Sequence, residues 1–386
     1  MNRRDFMKTL GLLPLVGSPI QSWGATNKPY QNLLILIELK GGNDGLNTVI
    51  PFADPLYAQL RPRLSIPREQ IIQLDERTGL HPALQALLPL WKDRQLALVQ
   101  GVGYPKPNLS HFRSIEIWDT ASNSEDYLDQ GWLARLFAQT PAPASFAAEG
   151  VMIANSEAGP LGGGKARTIS LASPEQFLRQ SRLAKTQAEP SRNPAMDHIL
   201  TLESNIRAAA NGLSSKHAFQ TVFPNHAFGK AVHSAVQVAA SAGSNPGGIA
   251  VIKLSHGSFD THTNQLNMQN RLLGELAEGI FALKSALLEL GKWDSTLIMS
   301  YAEFGRRPAE NGSGGTDHGT ANVHFVTGGK IHGGLYGKAP DLARLEGGNL
   351  IHGVDFRSLY ATVIQKHWGL EANGVLGARY PVLDFV

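Results

Sequence analysis

Residues 33–39, Leu33-Leu34-Ile35-Leu36-Ile37-Glu38-Leu39, form a nearly continuous apolar run that ends at the glycine pair Gly41-Gly42. A strand buried on both faces of a parallel sheet has this pattern, because helices cover both sides of such a sheet. The run therefore predicts the first strand of an α/β fold.

Three further apolar runs have the same form, and each leads into a loop rich in glycine or polar residues. They occupy residues 96–99, 248–254 and 295–300. Helical periodicity covers residues 82–91, 111–121, 268–290 and 356–368. This alternation predicts a doubly wound, mostly parallel sheet in an α/β/α sandwich.

Residues 122–245 break the alternation. They contain several prolines, the glycine run at 162–164 and a polar helical stretch at 190–212. We interpret 122–245 as an inserted cap region within one α/β domain that spans residues 30–386.

The first 25 residues have the features of a twin-arginine signal peptide. Arg3 and Arg4 are followed by Phe6 and by an apolar run at residues 10–20. That run is too short to span a bilayer, which takes roughly 20 residues. We therefore expect residues 1–25 to be removed during export by the twin-arginine translocase, giving a periplasmic or secreted protein with no stable membrane span. The alternative is a basic tail on a cytoplasmic protein.

The composition limits the chemistry. The chain has no cysteine, so disulfides, thiolate ligands and thiol nucleophiles are excluded. Removal of residues 1–25 lowers the formal net charge from +3 to +1, which is too close to neutral to suggest nucleic acid as a partner.

Polar clusters follow the predicted strands, where open α/β sheets bind their ligands. They are Gly41-Gly42-Asn43-Asp44-Gly45, Asn108-Leu109-Ser110-His111, Asp260-Thr261-His262 and Asp317-His318-Gly319. The two Asp-His pairs suggest a site for two divalent metals about 4 Å apart. Oxygen and imidazole ligands indicate Zn, Mn or Mg.

Single residues in these clusters also have simpler interpretations. Ser110 opens a predicted helix, so its hydroxyl is either an N-cap or a nucleophile. Asp44 in its glycine-rich turn is either a turn residue or a metal ligand. Glu303 and Arg306 either orient a substrate oxyanion or form a structural ion pair. His111 is expected to donate a hydrogen bond to a metal ligand.

The motifs together resemble the bacterial domain-of-unknown-function family 1501, which is itself similar to the alkaline phosphatase and sulfatase superfamily. The resemblance rests on the leader, the four clusters, Ser110-His111-Phe112, Phe259-Asp260-Thr261-His262 and Glu303-Phe304-Gly305-Arg306. It extends over essentially the whole chain after the leader, and it implies an alkaline phosphatase-like fold.

The resemblance also implies the site residues. One metal site would consist of Asp44, Ser110, Asp317 and His318. A second would contain Asp260, His262 and a later histidine, for which we choose His324 over His332 and His352. Asp260 and His262 are two residues apart, whereas superfamily members often space this pair four apart. One or two ions, Zn or Mn, are expected, with Asn108, Glu303 and Arg306 binding substrate.

The implied function is an exported metal-dependent hydrolase of phosphate or sulfate esters with Ser110 as nucleophile. Its substrate would be a small-molecule or cell-envelope ester. One alternative is a non-catalytic metal-binding or assembly component of the cell envelope. Another is a phospho- or sulfotransferase that uses an acceptor other than water.

Overall fold

The computed structural model describes residues 30–154, 156–173, 217–241 and 248–386. The predicted signal peptide at 1–25 and the polar stretch at 190–212 lie outside the described residues.

Strands and helices alternate along the described chain. The strands are β1 (Leu33–Leu39), β2 (Val49–Ile50), β3 (Ile72–Gln73), β4 (Gly79–Leu80), β5 (Leu96–Gly103), β6 (Ala148–Ile153), β7 (Thr168–Leu171), β8 (Ile249–His256), β9 (Thr296–Tyr301), β10 (Asn322–Thr327), β11 (Gly334–Gly337), β12 (Leu345–Glu346), β13 (Asn349–Leu350) and β14 (Val354–Asp355). The α-helices are α1 (Pro55–Leu60), α2 (Leu88–Lys92), α3 (His111–Thr120), α4 (Trp132–Gln139), α5 (Ala227–Ser241), α6 (Gln265–Glu289), α7 (Phe356–Thr362) and α8 (Asn373–Leu376). Short 3₁₀ helices lie at Gly45–Asn47, Arg68–Gln70, Pro82–Leu87, Gly159–Leu161 and Trp293–Ser295, and a π-helical turn at Val363–His367 continues α7.

Within the described residues, nine strands form the main sheet, in the order β11-β5-β10-β9-β1-β8-β6-β7, and β14 also pairs with β5. β1 lies between β8 and β9 and runs parallel to both. β10 runs antiparallel to both of its neighbours, β5 and β9. The mostly parallel sheet is therefore confirmed. Because β10 is reversed, its first residue and not its last lies at the edge where the parallel strands end.

Both faces of the sheet are covered by helices. One core packs α5 and α6 against the sheet, with Ile35, Ile37 and Leu39 of β1 facing it. The other packs α3, α4 and α7 against the opposite face, to which β1 contributes Leu34 and Leu36. The even and odd residues of one strand thus enter different cores, as the apolar run at 33–39 predicts. The α/β/α sandwich is confirmed.

The described part of residues 122–245 is not a separate cap. β6 and β7 belong to the main sheet, where β6 pairs with β8 and with β7. Helix α5 packs against α6 in the core beneath the sheet. The prolines and glycines of this region interrupt the sequence pattern without interrupting the sheet. Among the helices described, none is long and apolar enough to cross a membrane.

The turn after β1 requires glycine. Gly41 and Gly42 have φ values of 109° and 75°, which side chains disfavour. A Cβ atom on Gly41 would lie 2.3 Å from the backbone nitrogen of Asp260. The missing side chain therefore lets the loop after β1 touch the loop after β8.

Candidate metal site

The predicted functional clusters meet at one edge of the sheet. The loops that follow β1, β5, β8 and β9 lie there, together with the segment that precedes β10. This is the carboxyl edge of the parallel strands, where ligands bind in open α/β sheets.

Three side chains at this edge form a compact group, which we call the donor group: His111, Asp260 and His318. Each offers one ligand atom, and the three atoms lie within 4.8 Å of one another. Nε2 of His111 is 3.4 Å from Oδ2 of Asp260, and Nε2 of His318 is 3.2 Å from Oδ1 of Asp260. They come from three different strand ends.

The two histidines of the donor group are oriented through their other ring nitrogens. Nδ1 of His318 donates to the backbone oxygen of Leu109 over 2.8 Å. Nδ1 of His111 lies 2.7 Å from Oε1 of Glu303. Such a second partner fixes the ring orientation and leaves Nε2 for a metal. Both Nε2 atoms therefore face Asp260.

Glu303 positions His111 and is not placed to bind substrate. Its side chain is buried, and Oε1 also accepts a hydrogen bond of 2.9 Å from the backbone nitrogen of Gly41. The hydrogen bond with Glu303 raises the pKa of His111 above its usual value. In the sequence, His111 was expected only to support a metal ligand. The structure instead puts it beside Asp260, while Glu303 supports it.

Arg306 also differs from its predicted substrate-binding role. The residue is 1% exposed, and its guanidinium donates to the backbone oxygens of Gly41, Gly42, Phe259 and Thr316. A further hydrogen bond of 2.6 Å reaches Oδ1 of Asp260. Burial alone would raise the pKa of Asp260, but the hydrogen bond and charge of Arg306 lower it to about 2. Arg306 thus holds the loops together and keeps Asp260 ionised.

His262 and Asp317 lie on the outer side of the donor group. Nε2 of His262 is 3.0 Å from Oδ1 of Asp260 and 3.0 Å from Nε2 of His318. Nδ1 of His262 is 3.5 Å from Oδ1 of Asp317. Both side chains are about half exposed. The structure thus brings the two Asp-His pairs of the sequence together.

Ser110 and Asn108 lie on the loop that leads into α3. Oδ1 of Asn108 accepts a hydrogen bond of 2.9 Å from the backbone nitrogen of Ser110. Ser110 occupies the N-cap position of α3, but its side chain makes no capping hydrogen bond. It is exposed and immediately precedes His111. Ser110 therefore does not form the hydrogen bond by which an N-cap serine usually stabilises a helix.

The structure does not bring Asp44 into the donor group. Its carboxylate is buried and forms a two-pronged ion pair with Arg61, at 2.5 and 3.0 Å. The same carboxylate accepts hydrogen bonds from the backbone nitrogen of Leu46 and from the side chain of Gln265. Four donors therefore saturate its two oxygens, and Asp44 serves the fold instead of a metal.

The proposed third histidine is also elsewhere. His324 lies in β10, fully buried, with its ring 5.1 Å from that of Trp118. Burial lowers the pKa of His324 to about 3. The alternatives do not belong to the donor group either, since His332 is an exposed loop residue and His352 lines a separate cavity. The second imidazole of the donor group therefore comes from His111 and not from a histidine after residue 318.

The donor group suits a divalent metal. Two imidazole nitrogens and one carboxylate, with solvent access on one side, match the three-ligand sites that leave a position open for water or substrate. Metal binding requires both imidazoles to be neutral. Burial lowers the pKa of His318, whereas the hydrogen bond with Glu303 raises the pKa of His111. The chain offers no sulfur from cysteine, so nitrogen and oxygen atoms would hold any metal at the donor group.

We expect the variant Asp44→Asn to lose stability and to keep its metal. Breaking one partner of a buried ion pair costs about 3–5 kcal/mol, because the charge of Arg61 remains unpaired. Urea unfolding measures the free energy of unfolding, and elemental analysis counts bound metal. Asp54→Asn is the matched control, since Asp54 caps α1 and asparagine caps equally well. An Asp44→Asn protein of normal stability that lacks metal would restore Asp44 as a ligand.

Comparisons with known proteins find solved structures that are similar to this chain at low sequence identity. A search of curated proteins finds no match. The similar solved structures include the PsFucS1 sulfatase from Pseudoalteromonas sp., with 10% identity, a TM-score of 0.44 and coverage of 92% of this chain and 70% of that one. The phosphonate monoester hydrolase SpPMH from Silicibacter pomeroyi has 11% identity, a TM-score of 0.44 and coverage of 90% and 75%. A protein in the alkaline phosphatase superfamily from Vibrio parahaemolyticus has 9% identity, a TM-score of 0.42 and coverage of 91% and 71%.

The family comparison is more direct. The model of DUF1501, described as a protein family of unknown function, matches residues 96–376. This range contains His111, Asp260 and His318, and it covers well over half of the chain. The chain belongs to the DUF1501 family.

Proposed function

We propose that this protein is an exported metal-dependent hydrolase of phosphate or sulfate esters in which Ser110 is the nucleophile. The observation that supports this most is the position of Ser110. This residue is exposed, its hydroxyl makes no capping hydrogen bond, and it directly precedes His111 of the donor group. A serine at a helix N-terminus also faces the positive end of the helix dipole. That environment favours an anionic substrate and a developing alkoxide.

In the first half of the reaction, the Ser110 oxygen attacks the phosphorus or sulfur atom of the ester. A new bond forms between this oxygen and that atom, and the bond to the alcohol oxygen breaks. The serine proton passes to solvent, and the leaving alcohol takes a proton from solvent. The first backbone N–H groups of α3 lie beside the negative charge that develops. A divalent ion on the donor group would lower the pKa of the hydroxyl and offset this charge.

In the second half, water attacks the same phosphorus or sulfur atom, and the bond from that atom to the Ser110 oxygen breaks. The water gives a proton to solvent, the Ser110 oxygen takes a proton back, and the inorganic anion leaves. His111, Asp260 and His318 stay fixed through both halves, because Glu303, Arg306 and the Leu109 carbonyl hold them. His262 and Asp317 add an imidazole and a carboxylate on the outer side, which supports a second ion there. Zn or Mn, as one or two ions, therefore fits the proposal.

A non-catalytic role in the cell envelope is the second candidate, and one observation favours it. Arg306, the guanidinium in contact with Asp260, donates to four backbone oxygens and to Asp260 itself. It therefore does not reach a substrate oxyanion, which hydrolases of these esters commonly bind with cations. In that role the donor group would hold a structural metal, and Ser110 would be dispensable.

The location belongs to the proposal as well. The arginine pair at residues 3 and 4 and the short apolar run after it support export to the periplasm or beyond, with a small-molecule or cell-envelope ester as substrate. We expect the double variant Arg3→Lys, Arg4→Lys to remain uncleaved in the cytoplasm. Cell fractionation and immunoblotting measure this, and normal export of the double variant would refute it.

Catalysis should depend on both Ser110 and bound metal. We expect chelation to abolish hydrolysis of an aryl phosphate or aryl sulfate, and Zn²⁺ or Mn²⁺ to restore it. Ser110→Ala should lower kcat/KM at least about a thousandfold, because the covalent route is lost. Elemental analysis should find the metal content of this variant unchanged, because the donor group is intact.

Ser285→Ala is the matched control, since Ser285 lies on α6 and, among the described residues, its hydroxyl bonds only to the backbone oxygen of Phe281. It should keep full activity. A metal-loaded protein with no turnover on a broad panel of phosphate and sulfate esters would favour the binding role. Full activity of Ser110→Ala would remove Ser110 as the nucleophile.

A further inference from the structure

A cavity of about 340 Å³ lies beside β5, away from the donor group. It forms at the point along β5 where its pairing partner on the sheet edge changes from β11 to β14. β11 pairs with β5 up to Gln100, and β14 pairs with it from Val102 onward. Between these two strands the chain leaves the sheet at Lys338 and returns at Gly353, and this excursion forms the outer wall. The volume is within the range of small-molecule pockets, roughly 300–1,000 Å³.

A β-bulge shapes the inner wall. Asn322 of β10 pairs with Val102 of β5, and His324 pairs with Val99. The same interval therefore covers three residues on β5 but only two on β10. The extra residue falls at Gln100 and Gly101, and Gly101 has the left-handed φ of 65°. Bulges redirect side chains and are frequent beside functional sites. Here the bulge places Gln100 on the cavity wall.

The side chain of Gln100 has no hydrogen-bond partner within the described part of the chain. The residue is only 5% exposed, and its amide takes part in none of the hydrogen bonds found among the described residues. The amide lines the cavity, so its hydrogen-bonding groups are open to the cavity and are not sealed among apolar side chains. This amide offers one donor group and one acceptor to whatever enters the cavity. A hydroxyl or amide group on a ligand would match both.

The opening of the cavity is positively charged. Lys338 and Arg344 line it together with one acid, Asp341, and neither cation has a carboxylate within 4.0 Å in the described chain. His352 also lines the cavity and packs against Gly103 of β5. Two unpaired cations at a concave site favour an anionic group on the ligand.

We propose that this cavity binds a small hydroxylated anion, such as an acidic sugar or a sugar phosphate. Gln100 would bind the hydroxyl groups, while Lys338 and Arg344 would bind the anionic group. Leu46, Val49 and Leu350 supply apolar wall for the carbon skeleton. No residue of the donor group lines this cavity, so the site does not depend on the proposed hydrolase activity.

Calorimetric titration of the purified protein tests this site. The probes are glucuronate, glucose 6-phosphate, uncharged glucose and inorganic phosphate, in chelator so that no metal contributes. At least one of the two sugar anions should bind, and both glucose and inorganic phosphate should bind at least about tenfold more weakly. Binding of glucuronate alone identifies a carboxylate ligand, and binding of glucose 6-phosphate alone identifies a phosphate ligand.

Variants assign the binding to the cavity. Affinity for the sugar anion should fall at least about tenfold in Gln100→Leu. It should fall as much in the double variant Lys338→Ala, Arg344→Ala. His111→Ala is the matched control in the donor group and should bind normally. The Tm of Gln100→Leu without ligand should stay close to that of the unmodified protein, because the amide faces the cavity and has no partner among the described residues.

Three results would overturn the proposal. The first is that no sugar anion binds. The second is that binding survives in Gln100→Leu and disappears in His111→Ala. The third is a clear fall in the Tm of ligand-free Gln100→Leu, which would make the amide a structural group.

Discussion

The guanidinium of Arg306 is the interaction on which the candidate site depends. It is buried at the carboxyl edge of the sheet and bonds to backbone oxygens in the loops after β1 and β8 and in the segment before β10. A buried guanidinium is costly unless its N–H groups are hydrogen-bonded. Arg306 is therefore stable in this position only while the loops keep their backbone oxygens around it. The contact from Arg306 to Asp260 then fixes the one carboxylate of the donor group.

This arrangement determines how the site balances its charges. Asp260 is ionised beside Arg306, while His111 and His318 are held by Glu303 and by a backbone carbonyl. One carboxylate oxygen faces the guanidinium and the other faces His111. The donor group is therefore preorganised before any metal binds, since each side chain already has a fixed orientation. A bound ion would add positive charge on the solvent side of the donor group.

The sequence predicted β1, β5, β8 and β9 of the main sheet, because these strands are buried on both faces and form unbroken apolar runs. It also located the clusters after β5, β8 and β9, since polar residues at strand ends are a local signal. Asp44 could not be assigned in this way, because Arg61 becomes its partner only through folding. The prediction for His324 was wrong because this residue lies within β10, where its side chain is fully buried beside Trp118. The sequence predicted only a supporting role for His111, because the residue comes close to Asp260 only when the loops fold.

The central claim is that His111, Asp260 and His318 bind a divalent metal. Anomalous diffraction at the zinc edge, from crystals of the Zn²⁺-loaded protein, tests it most directly. We predict one peak about 2.0–2.2 Å from Nε2 of both histidines and from a carboxylate oxygen of Asp260. A peak at Asp44 or His324, or no ordered zinc beside the donor group, would contradict the account.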